Sequence, residues 1–207
     1  RLGDIETVSP ITFRNQPVGC TATIINQMYE ENEIEVPREI AGLLCGAIIS
    51  DTLLFRSPTC TPLDERTAKK LAKISDIDLE QMAQEMFNAG SNLKGKSAED
   101  ICFQDFKQFT VNDTIFGVGQ ITSMSKEELA AIRDMMTEVL EAHNLNMIYF
   151  MLTDILAEST ELLCVGTGAR GIALSAFDLP DNAKSLILKG VVSRKKQLIP
   201  VLVETMQ

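Results

Sequence analysis

The sequence has very few residues of the kinds that build many familiar active sites. Its 207 residues include a single His and no Trp. The one histidine, His143, excludes a metal site made of several histidines within this chain, and it leaves no Ser-His-Asp triad at neighbouring positions. It lies in the last turn of a predicted helix, where a residue able to carry positive charge suits the helix dipole. We therefore interpret His143 as a helix-end residue.

Paired cysteine motifs and long apolar runs are missing as well. The five cysteines are widely spaced and no Cys-x-x-Cys occurs, which argues against a disulfide scaffold and against a zinc knuckle. We expect reduced thiols in a cytoplasmic protein. No stretch reaches the roughly 18 apolar residues of a membrane span, and no signal peptide is recognisable. A membrane partner is therefore not expected.

Positive charge is scarce overall, since 19 Lys and Arg face 29 Asp and Glu. This balance argues against a nucleic-acid partner, which needs a broad basic face. Three cations are nevertheless consecutive in Ser193-Arg194-Lys195-Lys196-Gln197, between two apolar stretches. A cationic cluster that follows a buried segment favours an anion site, whereas a solvated turn is the commoner explanation of a basic triplet. The triplet alone leaves both interpretations open.

The first part of the chain, residues 1–88, is predicted to be mostly helical. One helix begins at Pro17, because proline suits the first helical position. A second helix runs from near Pro37 to Ser50. The third helix begins at Thr61-Pro62-Leu63-Asp64, where Thr caps, Pro takes the first position and an acid follows in the first turn.

The second part of the chain, residues 97–207, predicts a mixed sheet with helices, so the fold class is α/β. A hairpin turns at Asn112-Asp113, a capping box at Ser125 begins a long helix, and a strand is expected over 185–192. Between the two parts, residues 89–96 contain two Gly and two Lys without apolar periodicity. We predict a domain boundary and hinge there.

Asp51 is a candidate metal ligand. It follows a predicted helix, at the negative end of the helix dipole, where a carboxylate is mildly unfavourable unless a cation compensates. Its neighbours are very apolar, so burial would add to that cost. A bound metal would resolve both problems. The alternative is that the Asp51 side chain caps the turn at Thr52, and the sequence leaves that alternative open.

Two further patterns have plain structural explanations. The glycines of Gly166-Thr167-Gly168-Ala169-Arg170-Gly171 match the dinucleotide-binding G-x-G-x-x-G, but the acidic residue expected about 20 positions on is missing. A tight strand-to-helix turn is the favoured interpretation. Lys107 begins a strand, where it would ordinarily be an edge-strand lysine.

Four motifs together give the chain a specific resemblance. They are Gln16 to Thr23 (QPVGCTAT), Ile48 to Phe55 (IISDTLLF), Ser57 to Thr61 (SPTCT) and Ser193 to Gln197 (SRKKQ). In this order they resemble the manganese-dependent (family II) inorganic pyrophosphatases of the Asp-His-His phosphoesterase superfamily. The resemblance covers the whole chain.

The resemblance implies two domains with a dinuclear metal site between them. The chain would be the remainder of a parallel-sheet Asp-His-His domain, mostly helical here, followed by a mixed-sheet α/β domain that binds substrate. Asp51 corresponds to a metal-ligating aspartate, and Lys107, Arg194 and Lys195 correspond to the cations that hold the substrate phosphates. Metals would be Mn²⁺ or Co²⁺, with Mg²⁺ also bound by the substrate, and the protein would be a homodimer.

The same resemblance implies that most metal ligands of the family precede Arg1, so that this chain alone would be nearly inactive. Hydrolysis of pyrophosphate to two phosphates is the expected activity of the intact protein. A non-catalytic phosphate-binding or dimerisation module is one alternative. A related phosphoesterase acting on polyphosphate or a nucleotide is another.

Overall fold

The computed structural model describes residues 8–90, 96–143 and 145–207, and it divides into two compact units. Unit 1 comprises Arg1–Phe55 and Thr59–Leu79, described from residue 8, and unit 2 comprises Arg56–Pro58 and Glu80–Gln207. Residues 91–95 of the hinge that we placed at 89–96 lie outside the described residues. That hinge therefore remains a prediction.

The described residues of unit 1 form helices α1 (Thr21–Glu31), α2 (Arg38–Thr52) and α3 (Pro62–Ser75). Helix α3 begins as the sequence predicted, with Thr61 as N-cap in a capping box with Asp64. Helix α1 begins later than predicted, because the Cys20 Sγ accepts from the backbone N–H of Ala22 and caps the helix there. The interpretation that Pro17 opens this helix is wrong.

Helices α2 and α3 pack against each other in unit 1. The buried side of α2 presents apolar residues at helical spacing, including Cys45, Ile48 and Ile49, all fully buried. Leu71 of α3 is equally buried. Because apolar burial is the main stabilising term in folding, this helix pair forms the core of unit 1.

Unit 2 is built on a five-stranded sheet in the order β1-β2-β3-β4-β5, in which β2 and β3 are parallel and the other neighbours are antiparallel. Along the chain, helices precede, separate and follow the strands. The sheet thus confirms the predicted mixed α/β domain, and the β1–β2 hairpin turns at residues 112–113 as predicted. The elements are α4 (Leu79–Gly90), α5 (Ala98–Phe103), β1 (Phe106–Val111), β2 (Thr114–Ser123), α6 (Lys126–Glu141), β3 (Met147–Asp154), β4 (Ser159–Gly166), α7 (Ala169–Ala176), β5 (Ile187–Lys189) and α8 (Ile199–Met206).

Strand β3 is the centre of unit 2, because all eight of its residues are buried. Side chains alternate between the two faces of a strand. Ile148 and Phe150 lie in one apolar cluster with α6, whereas Tyr149 and Met151 lie in another with α7 and α8. The sheet is therefore covered by helices on both faces, as continuous apolar strands require.

Two local predictions for unit 2 are wrong. Ser125 caps α6, but the Glu128 carboxylate does not complete a capping box and accepts instead from the Ser123 hydroxyl at 2.5 Å. Strand β5 covers only Ile187–Lys189, although a strand was expected over 185–192. Residues 190–193 therefore leave the sheet just before the basic triplet, whereas the sequence predicted that the triplet follows a strand directly.

Candidate functional site

The basic triplet forms one turn of π-helix, Arg194–Leu198, which continues into α8. The backbone N–H of Leu198 donates to the Ser193 carbonyl, five residues back. Ser193 caps the turn, since its hydroxyl accepts from the Lys196 N–H. Single π-helical turns are rare and frequently mark functional sites.

Arg194 is held in one orientation by its neighbours in unit 2. Its Nη1 donates to the carbonyls of Asp105 at 2.6 Å and Val118 at 3.3 Å, and its Nη2 donates to the Asp105 carboxylate at 2.7 Å. Its side chain is only 10% exposed. These contacts use three of the five guanidinium N–H groups, which leaves Nε–H and one Nη2 N–H for an external acceptor. A phosphate can accept from such a pair with two of its oxygens.

The structure brings Lys107 into the same neighbourhood. Lys107 lies on β1 opposite Val118 of β2, whose carbonyl accepts from Arg194. Lys195 follows Arg194 directly, and both lysines are exposed. Neither lysine forms an ion pair within the part of the chain that the structure describes. Unit 2 therefore combines one oriented guanidinium with two ammonium groups that form no ion pair with a described carboxylate.

Asp51 lies in the last turn of α2 and is exposed. Helix α2 is followed by Leu53, Leu54 and Phe55, which all have positive φ, between 50° and 70°. Such a left-handed run is costly for residues with a Cβ. The Thr52 hydroxyl supports it by donating to the Ile48 carbonyl and accepting from the Phe55 N–H. Backbone strain of this kind tends to occur at functional sites.

Asp64 is a buried carboxylate in unit 1 that the sequence showed only as a first-turn acid. It accepts from the N–H of Gly19 at 2.8 Å, from the Thr23 hydroxyl at 2.5 Å, and from both N–H and hydroxyl of Thr61. Burial raises its pKa, but these hydrogen bonds outweigh burial and lower the pKa of Asp64 below its usual value. Because its oxygens already have protein donors, Asp64 is a structural acid rather than a candidate metal ligand.

Cys20 connects the start of α1 to Asp51. Burial, and secondarily a hydrogen bond to the Asp51 carboxylate, raise the pKa of the Cys20 thiol to about 12. The thiol therefore stays protonated at neutral pH and is a donor, not a thiolate ligand.

The described residues offer few donor atoms for a metal ion. Asp51 offers a carboxylate, the kind of hard oxygen that Mn²⁺ accepts. Within the described ranges no three His, Cys, Asp or Glu side chains come together as a metal site. The described residues therefore offer one candidate ligand, Asp51, and do not by themselves form a dinuclear centre.

The glycine motif at residues 166–171 and His143 are explained by local structure and not by a binding site. Gly166 and Gly168 both have positive φ, and a Cβ at Gly166 would lie 2.0 Å from the Asn146 carbonyl oxygen. The preceding strand β4 pairs antiparallel with both neighbours, whereas a dinucleotide fingerprint requires a parallel unit. His143 lies against the rings of Phe103 and Phe106, with centroids 5.0 and 6.0 Å away.

In the ranges 8–90, 96–143 and 145–207, none of the helices has the length and apolar character needed to cross a bilayer.

A protein-family match and the similarity to individual proteins agree with each other. A family model for the DHHA2 domain matches residues 84–205. A cobalt-dependent inorganic pyrophosphatase from Clostridium perfringens is 47% identical over 208 residues, which are 99% of this chain and 38% of that protein. A manganese-dependent inorganic pyrophosphatase from Methanothrix thermoacetophila is 45% identical over 98% of this chain and 67% of that protein.

A solved structure is also similar. The crystal structure of a Methanococcus jannaschii protein assigned to the family II inorganic pyrophosphatases superposes with a TM-score of 0.76 at 37% identity. The match covers 97% of this chain and 69% of that chain. This chain thus spans 38% of the Clostridium protein and about two thirds of the other two.

Proposed function

The chain belongs to the manganese- and cobalt-dependent family II inorganic pyrophosphatases, and from this premise we propose that the protein hydrolyses inorganic pyrophosphate to two phosphates. The observation that carries the proposal is the geometry of Arg194. Its guanidinium is fixed by Asp105 and Val118 but keeps Nε–H and one Nη2 N–H for a ligand. A planar pair of donors suits two oxygens of one phosphate.

The three cations have separate tasks in this proposal. Phosphoryl transfer to water requires that the charge on both phosphates is balanced and that the leaving phosphate is held. Arg194 orients one phosphate through two hydrogen bonds. Lys107 and Lys195, which are exposed, contribute point charges that stabilise the negative oxygens. Their effect is largest where water is excluded, because charge interactions strengthen at low dielectric.

We propose Asp51 as the metal ligand that unit 1 contributes. Bound Mn²⁺ or Co²⁺ would polarise phosphoryl oxygens and lower the pKa of a bound water, and Mg²⁺ would accompany the substrate. Since the described residues supply only this one ligand, the proposal requires further ligands from elsewhere. Asp51 itself keeps its place through the α2 C-terminus and the protonated Cys20 thiol.

The resemblance also supports a proposal about the state of the protein. We propose that the protein is a cytoplasmic homodimer. Its substrate is pyrophosphate, and it binds neither nucleic acid nor a membrane. The net charge of -10 supports the exclusion of nucleic acid, because a polyanion would be repelled by most of the surface.

The test is turnover of pyrophosphate by the full-length protein carrying Arg194→Ala. We expect kcat/KM to fall about a hundredfold or more, as for other lost donors to a developing oxyanion. Arg133→Ala is the matched control, because Arg133 is a surface arginine of the same unit, paired with Asp134 and Glu161. Its turnover should equal that of the wild type.

Lys195→Ala keeps the test decisive if loss of Arg194 disturbs folding. Lys195 is exposed, so its removal should leave the melting temperature unchanged while kcat/KM falls about tenfold. Full turnover by both variants would refute the assignment. Faster turnover of polyphosphate or a dinucleotide would contradict the substrate, and binding without hydrolysis would favour the phosphate-binding module.

A further inference from the structure

The four residues before the π-helical turn, Gly190 to Ser193, are held mainly by side chains. One backbone bond also holds the segment, from the Gly190 N–H to the Glu158 carbonyl at 2.7 Å. Strand β5 ends at Lys189. Beyond it, each carbonyl from Gly190 to Val192 accepts a hydrogen bond from a side chain. Buried backbone groups must find partners somewhere. Here three side chains supply them, which we call the clip: Gln120, Thr160 and Gln197.

Gln197 holds the segment from within the π-helical turn. Its Oε1 accepts from the N–H of Val192 at 2.9 Å and of Ser193 at 3.0 Å, and its Nε2 donates to the Gly190 carbonyl at 2.5 Å. One amide side chain therefore satisfies three backbone groups. It ties the turn to the residues that enter it.

Gln120 and Thr160 hold the segment from the sheet. The Thr160 hydroxyl donates to the Val191 carbonyl at 2.6 Å, and Gln120 Nε2 donates to the Val192 carbonyl at 3.1 Å. The two are joined through Thr153, whose hydroxyl lies 2.9 Å from that of Thr160 and accepts from Gln120 Nε2. Since Thr160 donates its only hydroxyl proton to Val191, Thr153 must donate to Thr160. The chain of hydrogen bonds therefore has a single direction.

The same Gln120 also reaches the other end of Arg194. Its backbone N–H donates to the Asp105 carbonyl at 3.3 Å, and that carbonyl accepts from Arg194 Nη1. Gln120 thus contacts both the main chain from which Arg194 extends and an acceptor of its guanidinium. A single residue therefore links the main chain before Arg194 to the Asp105 carbonyl that its guanidinium contacts.

These polar groups are costly to bury. Thr153 and Thr160 are fully buried and directly opposite each other on β3 and β4. Apolar side chains at such positions would ordinarily stabilise a central sheet pair more. A fully satisfied polar network instead makes a local structure rigid and specific. The segment that this network makes rigid is residues 190–193, because Gln120 and Thr160 both donate to carbonyls there.

From these contacts we propose that the clip residues Gln120, Thr160 and Gln197 are positioning residues that fix Arg194 for the phosphate, with Thr153 supporting them. The proposal rests on the proposed function for its catalytic consequence. None of the three needs to contact the substrate. A displacement of about 1 Å at a binding group can cost about a hundredfold in rate.

Thr160→Val and Gln120→Leu in the full-length protein test this directly. Thr160→Val is nearly isosteric and replaces the hydroxyl by a methyl group, which can neither donate nor accept a hydrogen bond. We expect kcat/KM for pyrophosphate to fall at least about tenfold, while Thr160→Ser, which keeps the hydroxyl, stays within about twofold. Thr110→Val and Gln108→Leu are matched controls on the exposed side of β1, and both should match the wild type.

Two readouts separate positioning from a general loss of stability. In an Arg194→Ala background, Thr160→Val should lower kcat/KM no further, because residues that act through one another are not additive. Amide exchange of the peptide covering residues 190–198 should be about fivefold faster or more in Thr160→Val and Gln120→Leu. Unchanged exchange, or an additive loss in the double variant, would overturn the proposal.

The exchange measurement also keeps this inference separate from the proposed function. If the wild type does not hydrolyse pyrophosphate, the proposed function fails, and faster exchange at 190–198 still supports the clip. If exchange is faster but turnover of an active protein is unaffected, the clip does not position Arg194 and the inference is wrong.

Discussion

Replacing Asp64 by Asn should cost unit 1 much of its stability. The carboxylate joins the start of α1 to the start of α3, because it accepts from Gly19, Thr23 and Thr61. It is fully buried. Asn keeps the shape but loses the charge and turns one acceptor into a donor that faces other donors.

The expected magnitude follows from those contacts. A hydrogen bond to a charged group contributes about 1.5–3 kcal/mol, and a buried donor left without a partner costs about 1–3 kcal/mol. We therefore expect Asp64→Asn to lower the free energy of unfolding by about 3–5 kcal/mol. Asp100→Asn is the matched control, since Asp100 forms the same capping box with Ser97 but is exposed. It should cost only about 1 kcal/mol.

Urea denaturation combined with amide exchange would measure both variants, because exchange reports unit 1 and unit 2 separately. The pH dependence gives a second check. The lowered pKa of Asp64 means that its contribution is complete above the ordinary value of 3.8 and is lost as pH falls through the lower folded value. The difference between wild type and Asp64→Asn should therefore shrink below about pH 4. Equal costs for Asp64→Asn and Asp100→Asn would refute this account.

Two further predictions concern unit 2. Asp105→Ala removes the carboxylate partner of Arg194 and should lower kcat/KM for pyrophosphate about tenfold. The melting temperature should change little, because Asp105 is half exposed. Unchanged kinetics would show that Arg194 needs no such partner. Gly119→Ala should lower the free energy of unfolding by about 1–3 kcal/mol, since its Cβ would lie 2.5 Å from the fully buried Phe150 ring. Gly171→Ala, where a Cβ meets open space, should be neutral or slightly stabilising in the same denaturation experiment, and equal effects would contradict the packing argument.

Local sequence signals predicted the elements whose determinants are local. The Thr61-Pro62-Leu63-Asp64 start of α3 and the hairpin turn at residues 112–113 are both confirmed. Each depends on residues three or four positions apart, through capping or turn chemistry. The family was also recognisable from short motifs, and the comparisons confirm it.

The supporting contacts of the candidate site could not be predicted in the same way. Asp105 and Arg194 are 89 residues apart, and Gln120 reaches Val192 across 72. No periodicity marks such pairs. A signal did exist in β2, where Gln120 interrupts an apolar strand, but it indicates only that a partner is needed. Thr160 lies among polar residues at the start of β4, so no such signal marks it. The sequence also suggested that β5 continues to Val192, because Val191 and Val192 suit a strand, whereas the side-chain donors of the clip compete successfully for those carbonyls.

The basic triplet shows why its three cations are not equivalent. Arg194 has a carboxylate partner and two carbonyl acceptors, so part of its charge is already balanced, and what it offers a ligand is direction. Lys107 and Lys195 have no ion-pair partner among the described residues, so what they offer is charge. In a chain with a net charge of -10, charge alone would be a weak attraction for a polyanion at a distance. In the proposed function, selective binding of a small phosphate compound therefore depends on the fixed guanidinium, and we propose that its fixation depends on Asp105 at one end and on the clip at the other.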